Sequence, residues 1–256
     1  RHTEQSDSQH DSFLYPNKAP RRQSKVPPMV SPVVVCHQLR SPENLAALAR
    51  SMANFGMSQL ILSDPQTHGF RVAGRIAVKA EAVMETFQVA ATLDEALSGV
   101  VYAVGTTSRR QLKRFTPLTP EEAVARLAAH AARGKVALVL GGEKRGLSDD
   151  ELSRCQEALV IPTPGPQPSM NLSHAAAVLL YLCSREAVPT PPQPAGASLQ
   201  LVQRLETKMK EVLQAADFLN PQAPQHVLTQ LTRALVRGAL TEREAQVVGA
   251  VAMGHS

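Results

Sequence analysis

The chain has 256 residues, 43% hydrophobic and 19% charged, enough to bury the core of one medium domain plus a smaller appendage, which excludes a disordered or fibrous chain. A formal charge of +5 and a pI near 9.3 suit an anionic partner such as RNA without demanding one. Cys36, Cys155 and Cys183 are odd in number and widely spaced, with no CxxC pair and no histidine at ligand spacing, so a disulfide framework and a metal site are both disfavoured and a reducing compartment is expected.

Residues 1–30 are rich in Ser, Gln and Pro with few branched apolar residues, and read as a disordered, solvated arm carrying Arg21, Arg22 and Lys25. They lack the apolar stretch of a signal peptide, and no later run reaches the roughly 18 apolar residues of a membrane span. The expectation is a soluble protein without membrane association. It is cytoplasmic, or organellar if a targeting segment has been removed ahead of Arg1.

From Pro32 onward, β-branched runs alternate with helical patterns. Strand 33–35 precedes helix 43–55, and a second strand follows at 60–62. Strand 100–104 precedes helix 121–132, strand 136–140 precedes helix 149–155, and strand 159–161 precedes helix 173–185. This order predicts an α/β domain over 31–186 built on a parallel sheet. Residues 187–198 are too Pro-rich for a helix or central strand and form a linker. Beyond it, helical spacing recurs at 199–216 and 224–237, and Thr241 with Glu244 makes a capping box, so 199–256 is a small helical extension. There is no internal repeat.

Three segments carry the chemistry. In the first, Ser41 caps a helix that Pro42 opens, Leu45, Leu48, Ala49 and Met52 form its apolar stripe, and Asn44 and Arg50 lie off that stripe. The second, Gly141-Gly142-Glu143-Lys144-Arg145-Gly146, follows an apolar strand, where open α/β sheets place ligands, and Ser148 with Glu151 caps the next helix. In the third, four prolines between Pro162 and Pro168 stiffen a loop leading Ser169 and Asn171 into a helix. Taken singly, each is as well explained by capping, turn formation or solvated charge. Neither GxxxxGK[ST] nor a post-strand GxGxxG occurs, which disfavours nucleotide hydrolysis and ordinary dinucleotide binding.

Together, in this order, the three segments resemble the SPOUT superfamily, in its TrmH-like branch of RNA ribose methyltransferases. Phe55-Gly56, Gly105-Thr106-Thr107-Ser108-Arg109 and the tail pattern Phe218-Leu219-Asn220-Pro221, with Leu231, Arg237, Leu240 and Glu244, are most similar to the TrmJ group. The resemblance covers roughly residues 32–252. It implies a parallel sheet with helices on both faces, a carboxyl-terminal trefoil knot, a homodimer and S-adenosylmethionine as cofactor. The implied reaction is 2′-O-methylation of RNA, most often tRNA at anticodon-loop position 32. Ribosomal RNA modification by the same fold, or a non-catalytic RNA-binding relative, are the alternatives.

The resemblance also implies residue roles. Arg50 orients the 2′-hydroxyl and binds the neighbouring phosphate, a role suited to an always-protonated guanidinium. Asn44, Glu143, Ser169 and Asn171 order Arg50 and the substrate pocket. The cofactor sits against Thr106, Thr107, Ser108, Leu140, Gly141, Ile161, Pro168, Ser169 and Met170. Arg109, Arg110, Lys113, Arg114, Lys144 and Arg145 supply phosphate contacts, which position RNA without reading its sequence.

Overall fold

The apolar runs form six strands: β1 (Val33–His37), β2 (Leu60–Ser63), β3 (Gln88–Ala90), β4 (Val100–Thr106), β5 (Lys135–Leu140) and β6 (Glu157–Leu159). In the computed structural model, which describes residues 28–67, 69–112, 116–189, 196–215, 232, 235 and 240–252, they make one sheet ordered β3-β2-β1-β5-β4-β6. All five pairings are parallel, with Val34 opposite both Leu60 and Leu138. The expected strand at 159–161 lies earlier, at 157–159, and the chain leaves the sheet at Val160.

Period-two alternation gives the inner strands two buried faces, as parallel sheets require, while edge strand β3 is exposed at Gln88 and Val89. Val34, Cys36, Leu60, Leu62, Leu138 and Leu140 enter one core layer. Val33, Val35, Ala103, Ala137 and Val139 enter the other. On the first layer lie α1 (Pro42–Asn54), α5 (Pro120–Ala131) and α7 (Leu172–Cys183), contributing Leu45, Leu48, Leu127 and Leu179. The second layer takes Leu93 from α4 (Leu93–Ala96), Leu152 from α6 (Asp149–Ser153) and Leu199 from α8 (Leu199–Ala215).

The region between β2 and β4, which has no long periodic run, holds the short helices α2 (Phe70–Ile76) and α3 (Glu81–Thr86) besides β3 and α4. Helix α9 (Glu242–Ala252) opens with the expected box: Glu244 N–H donates to Thr241 Oγ1 at 3.2 Å, and Thr241 N–H to the Glu244 carboxylate at 2.8 Å.

Two boundaries move. The arm expected over 1–30 stops short of Val30, which is only 1% exposed and donates its N–H to Glu186 O at 2.9 Å, while Met29 bridges Ala187. An apolar residue beside a free edge of backbone is stabilised there by burial and pairing. The linker 187–198 is likewise anchored at its far end, where Ala197 is buried and its N–H reaches Leu240 O at 2.9 Å. Residues 1–27, the linker centre 190–195 and most of 216–239 lie outside the described residues, and with them Phe218, Leu219, Asn220, Pro221, Leu231 and Arg237.

A buried aromatic pair predicts a pH effect on stability. His130 stacks on Tyr102 with ring centroids 4.0 Å apart, and Tyr102 donates its hydroxyl to the Glu157 carboxylate. Burial, then the charges of Arg133 and Arg126, lower the His130 pKa from 6.5 to about 4. The unfolded chain therefore binds a proton first as pH falls, so this contribution to stability is present above pH 6.5 and lost on descent towards about 4. Thermal unfolding midpoints should fall across that window, and His130→Phe should flatten the fall; an unchanged slope would contradict the assignment.

Candidate active site

The carboxyl ends of β4, β5 and β6 and the start of α7 enclose a cleft of about 410 Å³. Its walls come from the three expected segments: Asn44 at the start of α1, 140–146 after β5 and 168–172 before α7, joined by Thr106–Arg109 after β4. Strand carboxyl ends are where helices and loops splay apart in such sheets, which is the physical reason a cleft forms there.

The glycine loop after β5 is dictated by close approach. A Cβ on Gly141 would lie 2.4 Å from the Gly146 carbonyl carbon and 2.5 Å from Leu147 N, and one on Gly142 would lie 2.7 Å from Gln38 O. Both neighbours are backbone, so no side chain fits without moving the chain. The tight loop carries Glu143 directly over the start of α1.

Glu143 is the hub of the site. Its carboxylate accepts the N–H groups of Arg40 at 3.1 Å and Ser41 at 3.0 Å, and the Asn44 side-chain amide at 3.1 Å. Partial burial pushes its pKa up, but these donors and its own backbone N–H outweigh burial and hold it below the usual 4.5. Asn44 passes the link onward: its Oδ1 accepts from Asn171 Nδ2 at 3.0 Å. Asn171 Oδ1 in turn accepts from Ser173 N–H at 2.9 Å and Ser173 Oγ–H at 2.7 Å. Asn171 is thus the cap of α7, and Ser173 is buried in its first turn. Segments distant in sequence are tied by one hydrogen-bonded chain, Glu143–Asn44–Asn171.

Other residues singled out from sequence have varied placements. Thr106, Thr107, Ser108, Leu140, Gly141, Ile161, Pro168, Ser169 and Met170 all line the cleft, Leu140 doing so while 2% exposed in the core. Lys144, Arg145 and Arg109 also line it. Arg109, with its side chain still 43% exposed, also bonds Asp149 at 2.6 Å and Leu147 O at 3.1 Å, and Arg110 donates to Thr163 O at 2.9 Å. These two act as braces between loops around the cleft. Lys113 and Arg114 lie outside the described residues.

Arg50 is exposed on α1 and absent from the cleft wall of its own chain. Six residues at about 100° each place it roughly 120° around the helix from Asn44 and about 9 Å along the axis.

One network was invisible in sequence. Buried His37, at the end of β1, donates Nε2–H to Glu151 at 3.1 Å, and its Nδ1 lies 3.0 Å from Ser63 Oγ. The same Glu151 oxygen takes Arg145 Nη2 at 2.6 Å, and that nitrogen also donates to Gln38 Oε1 at 3.1 Å. Glu151 therefore caps α6 and pins the glycine loop to the end of β1. A capping-box carboxylate gives no sign in sequence that its second oxygen serves a distant strand.

Residues 31–181 match the model of the SpoU rRNA Methylase family. The chain belongs to that family. A relative in Pseudomonas aeruginosa, the tRNA (cytidine/uridine/adenosine-2'-O-)-methyltransferase TrmJ, is 32% identical over 232 residues, covering 84% of this chain and 90% of that protein. The tRNA (cytidine/uridine-2'-O-)-methyltransferase TrmJ of Klebsiella pneumoniae is 30% identical over 80% of this chain and 88% of its own length. Among solved structures, TrmJ from Z. mobilis superposes with a TM-score of 0.74 at 23% identity, covering 87% of this chain and 98% of that one. This likeness in fold covers more of the chain than the family-matched region.

Proposed function

We propose that this SpoU family member transfers the methyl group of S-adenosylmethionine to a ribose 2′-oxygen of tRNA, within the anticodon loop at position 32. The observation that carries the reading is the Glu143–Asn44–Asn171 chain beside a cofactor-sized cleft. Relatives named as tRNA 2'-O-methyltransferases align along most of the chain, which favours tRNA over ribosomal RNA.

The cleft suits the cofactor on its own terms. Its volume falls within the usual range for small-molecule sites, and Leu140, Ile161 and Met170 offer apolar walls beside backbone-rich turns at 106–108 and 168–170. When bound, the cofactor supplies an electrophilic methyl group. The protein supplies position: the Glu143 hub fixes the rim of the cleft, and Lys144 and Arg145 face incoming phosphate. Arg50 orients the 2′-hydroxyl, a group that also distinguishes RNA from DNA.

A homodimer completes this reading. An apolar groove of about 540 Å³ runs along α7, lined by Ile161, Val178 and Tyr181, and a second copy of the chain is its proposed occupant. Ile161 borders both groove and cleft, so a partner seated there stands next to the site. The trefoil knot, the tRNA-binding role of 199–256 and a reducing, cytoplasmic setting belong to the same proposal. The buried thiols of Cys36 and Cys183 suit that setting, with Cys183 pushed up to about 12 by burial.

Labelled-methyl transfer to purified tRNA and to ribosomal RNA, followed by nucleotide-resolution mapping, tests the assignment. Label confined to a ribose in the tRNA anticodon loop is expected. Label on ribosomal RNA alone would replace the substrate, and no cofactor binding by the dimer, with or without RNA, would end the enzyme reading.

A further inference from the structure

We propose that α2 and the turn behind it form a second contact surface for the tRNA backbone, set beside the cleft; this rests on the tRNA reading above. Between Arg71 and Lys79 the exposed residues are three cations, three branched aliphatics and Gly74, with no acid or neutral polar side chain among them. Arg71 and Arg75 are four residues apart, so they share a helix face about 6 Å apart along the axis and can meet one run of backbone. Lys79 follows in the turn.

These cations are uncommitted. Arg71, Arg75 and Lys79 form no side-chain ion pair among the described residues. The nearest carboxylates in sequence are already engaged: Asp64 accepts from Gln38 at 2.8 Å and Gln66 at 3.0 Å, and Glu81 takes the backbone N–H of Lys79 at 3.1 Å. Beside them Val72, Ile76 and Val78 are 47%, 46% and 54% exposed, while Ala73, Ala77 and Ala80 on the other side are buried. A purely solvating face would not carry three half-exposed branched aliphatics. Guanidinium groups for phosphate with aliphatic carbon for ribose and base faces is a combination that nucleic acid satisfies.

The surface is continuous with the site. Gln66 N–H donates to Leu39 O at 2.8 Å, and a Cβ on Gly69 would lie 2.5 Å from Pro42 Cγ, so α2 begins against residues 39–42. That stretch also delivers the Arg40 and Ser41 N–H groups to Glu143. An RNA strand with its ribose at the Glu143 rim has a short path to α2.

The test compares wild type with R71E/R75E/K79E and the milder R71Q/R75Q/K79Q, using purified tRNA titrations across salt, cofactor binding, and methyl transfer at saturating tRNA. The triple reversal should weaken tRNA binding at least tenfold, and the neutral variant should flatten the log–log salt slope by about 2–3, the loss of three phosphate contacts. Cofactor binding and the saturated rate should stay within about twofold, as expected for contacts that only position. Unchanged tRNA affinity and slope in both variants, with wild type still methylating tRNA, overturn this inference alone. A change in oligomeric state with unchanged tRNA affinity also overturns it, assigning the surface to a protein contact. Failure of wild type to methylate tRNA would instead overturn the function on which it rests.

Discussion

Arg50→Ala should lower methyl transfer by at least ~10²-fold while leaving cofactor affinity unchanged, because it removes a substrate-positioning group from outside the cofactor cleft. The side chain is exposed and on the face of α1 away from the core, so the variant should fold with an unchanged melting temperature. The proposed homodimer offers Arg50, outside the cleft of its own chain, the cleft of a second copy. Mixing Arg50→Ala chains with chains crippled in the cleft, such as Asn171→Ala, should therefore restore activity to about a quarter of wild type, since half the dimers are mixed and each has one intact site. Full activity in Arg50→Ala would sink the role. No recovery on mixing would place Arg50 in the site of its own subunit.

Glu143→Gln should both destabilise the protein and reduce turnover, because its carboxylate collects two backbone N–H groups and the Asn44 amide. The variant keeps one acceptor oxygen but turns an NH₂ towards donors. Allowing for partial exposure of the group, the loss should be about 1 kcal/mol. Activity should fall further than stability, since Asn44 loses its anchor and with it the tie to Asn171.

The pH dependence carries the same signature. The folded pKa of Glu143 lies below 4.5, so its contribution to stability is present above pH 4.5 and lost as pH falls through the lower folded value. Glu151, also held low against burial by Ser148, His37 and Arg145, adds to this acid sensitivity. Calorimetry of wild type and Glu143→Gln at neutral and acid pH measures both effects. The variant should lose part of the acid-induced drop, and equal midpoints and rates at neutral pH would remove Glu143 from the hub.

Arg109 and Arg110 show what local charge leaves unsaid. In sequence they form a cationic run after β4, suited to phosphate; folded, each braces a loop, and Arg109 has an aspartate partner forty residues away. Pairing with distant partners is not encoded in spacing. The three cations around α2 are the converse: their stretch is free of acids in sequence, and only the fold shows that they form no ion pair among the described residues.

The sequence by itself determined the strand–helix alternation, because β-branched runs and capping signals act locally: Ser41, Ser148 and Thr241 cap the helices their spacing predicts. The residues that line the cleft were marked by the joint likeness of three segments to a known family, since each segment taken singly reads as a cap, a turn or solvated charge. The tertiary structure alone decided which of these residues meet. Contacts such as Glu143 with Asn44, Asn171 with Asn44 and Glu151 with His37 span about a hundred residues or more, and depend on strand order and on backbone passing within van der Waals contact of Gly141 and Gly142. Helical pitch already turned Asn44 and Arg50 to different faces of α1 in the sequence; the fold decided that the cleft forms on the Asn44 side.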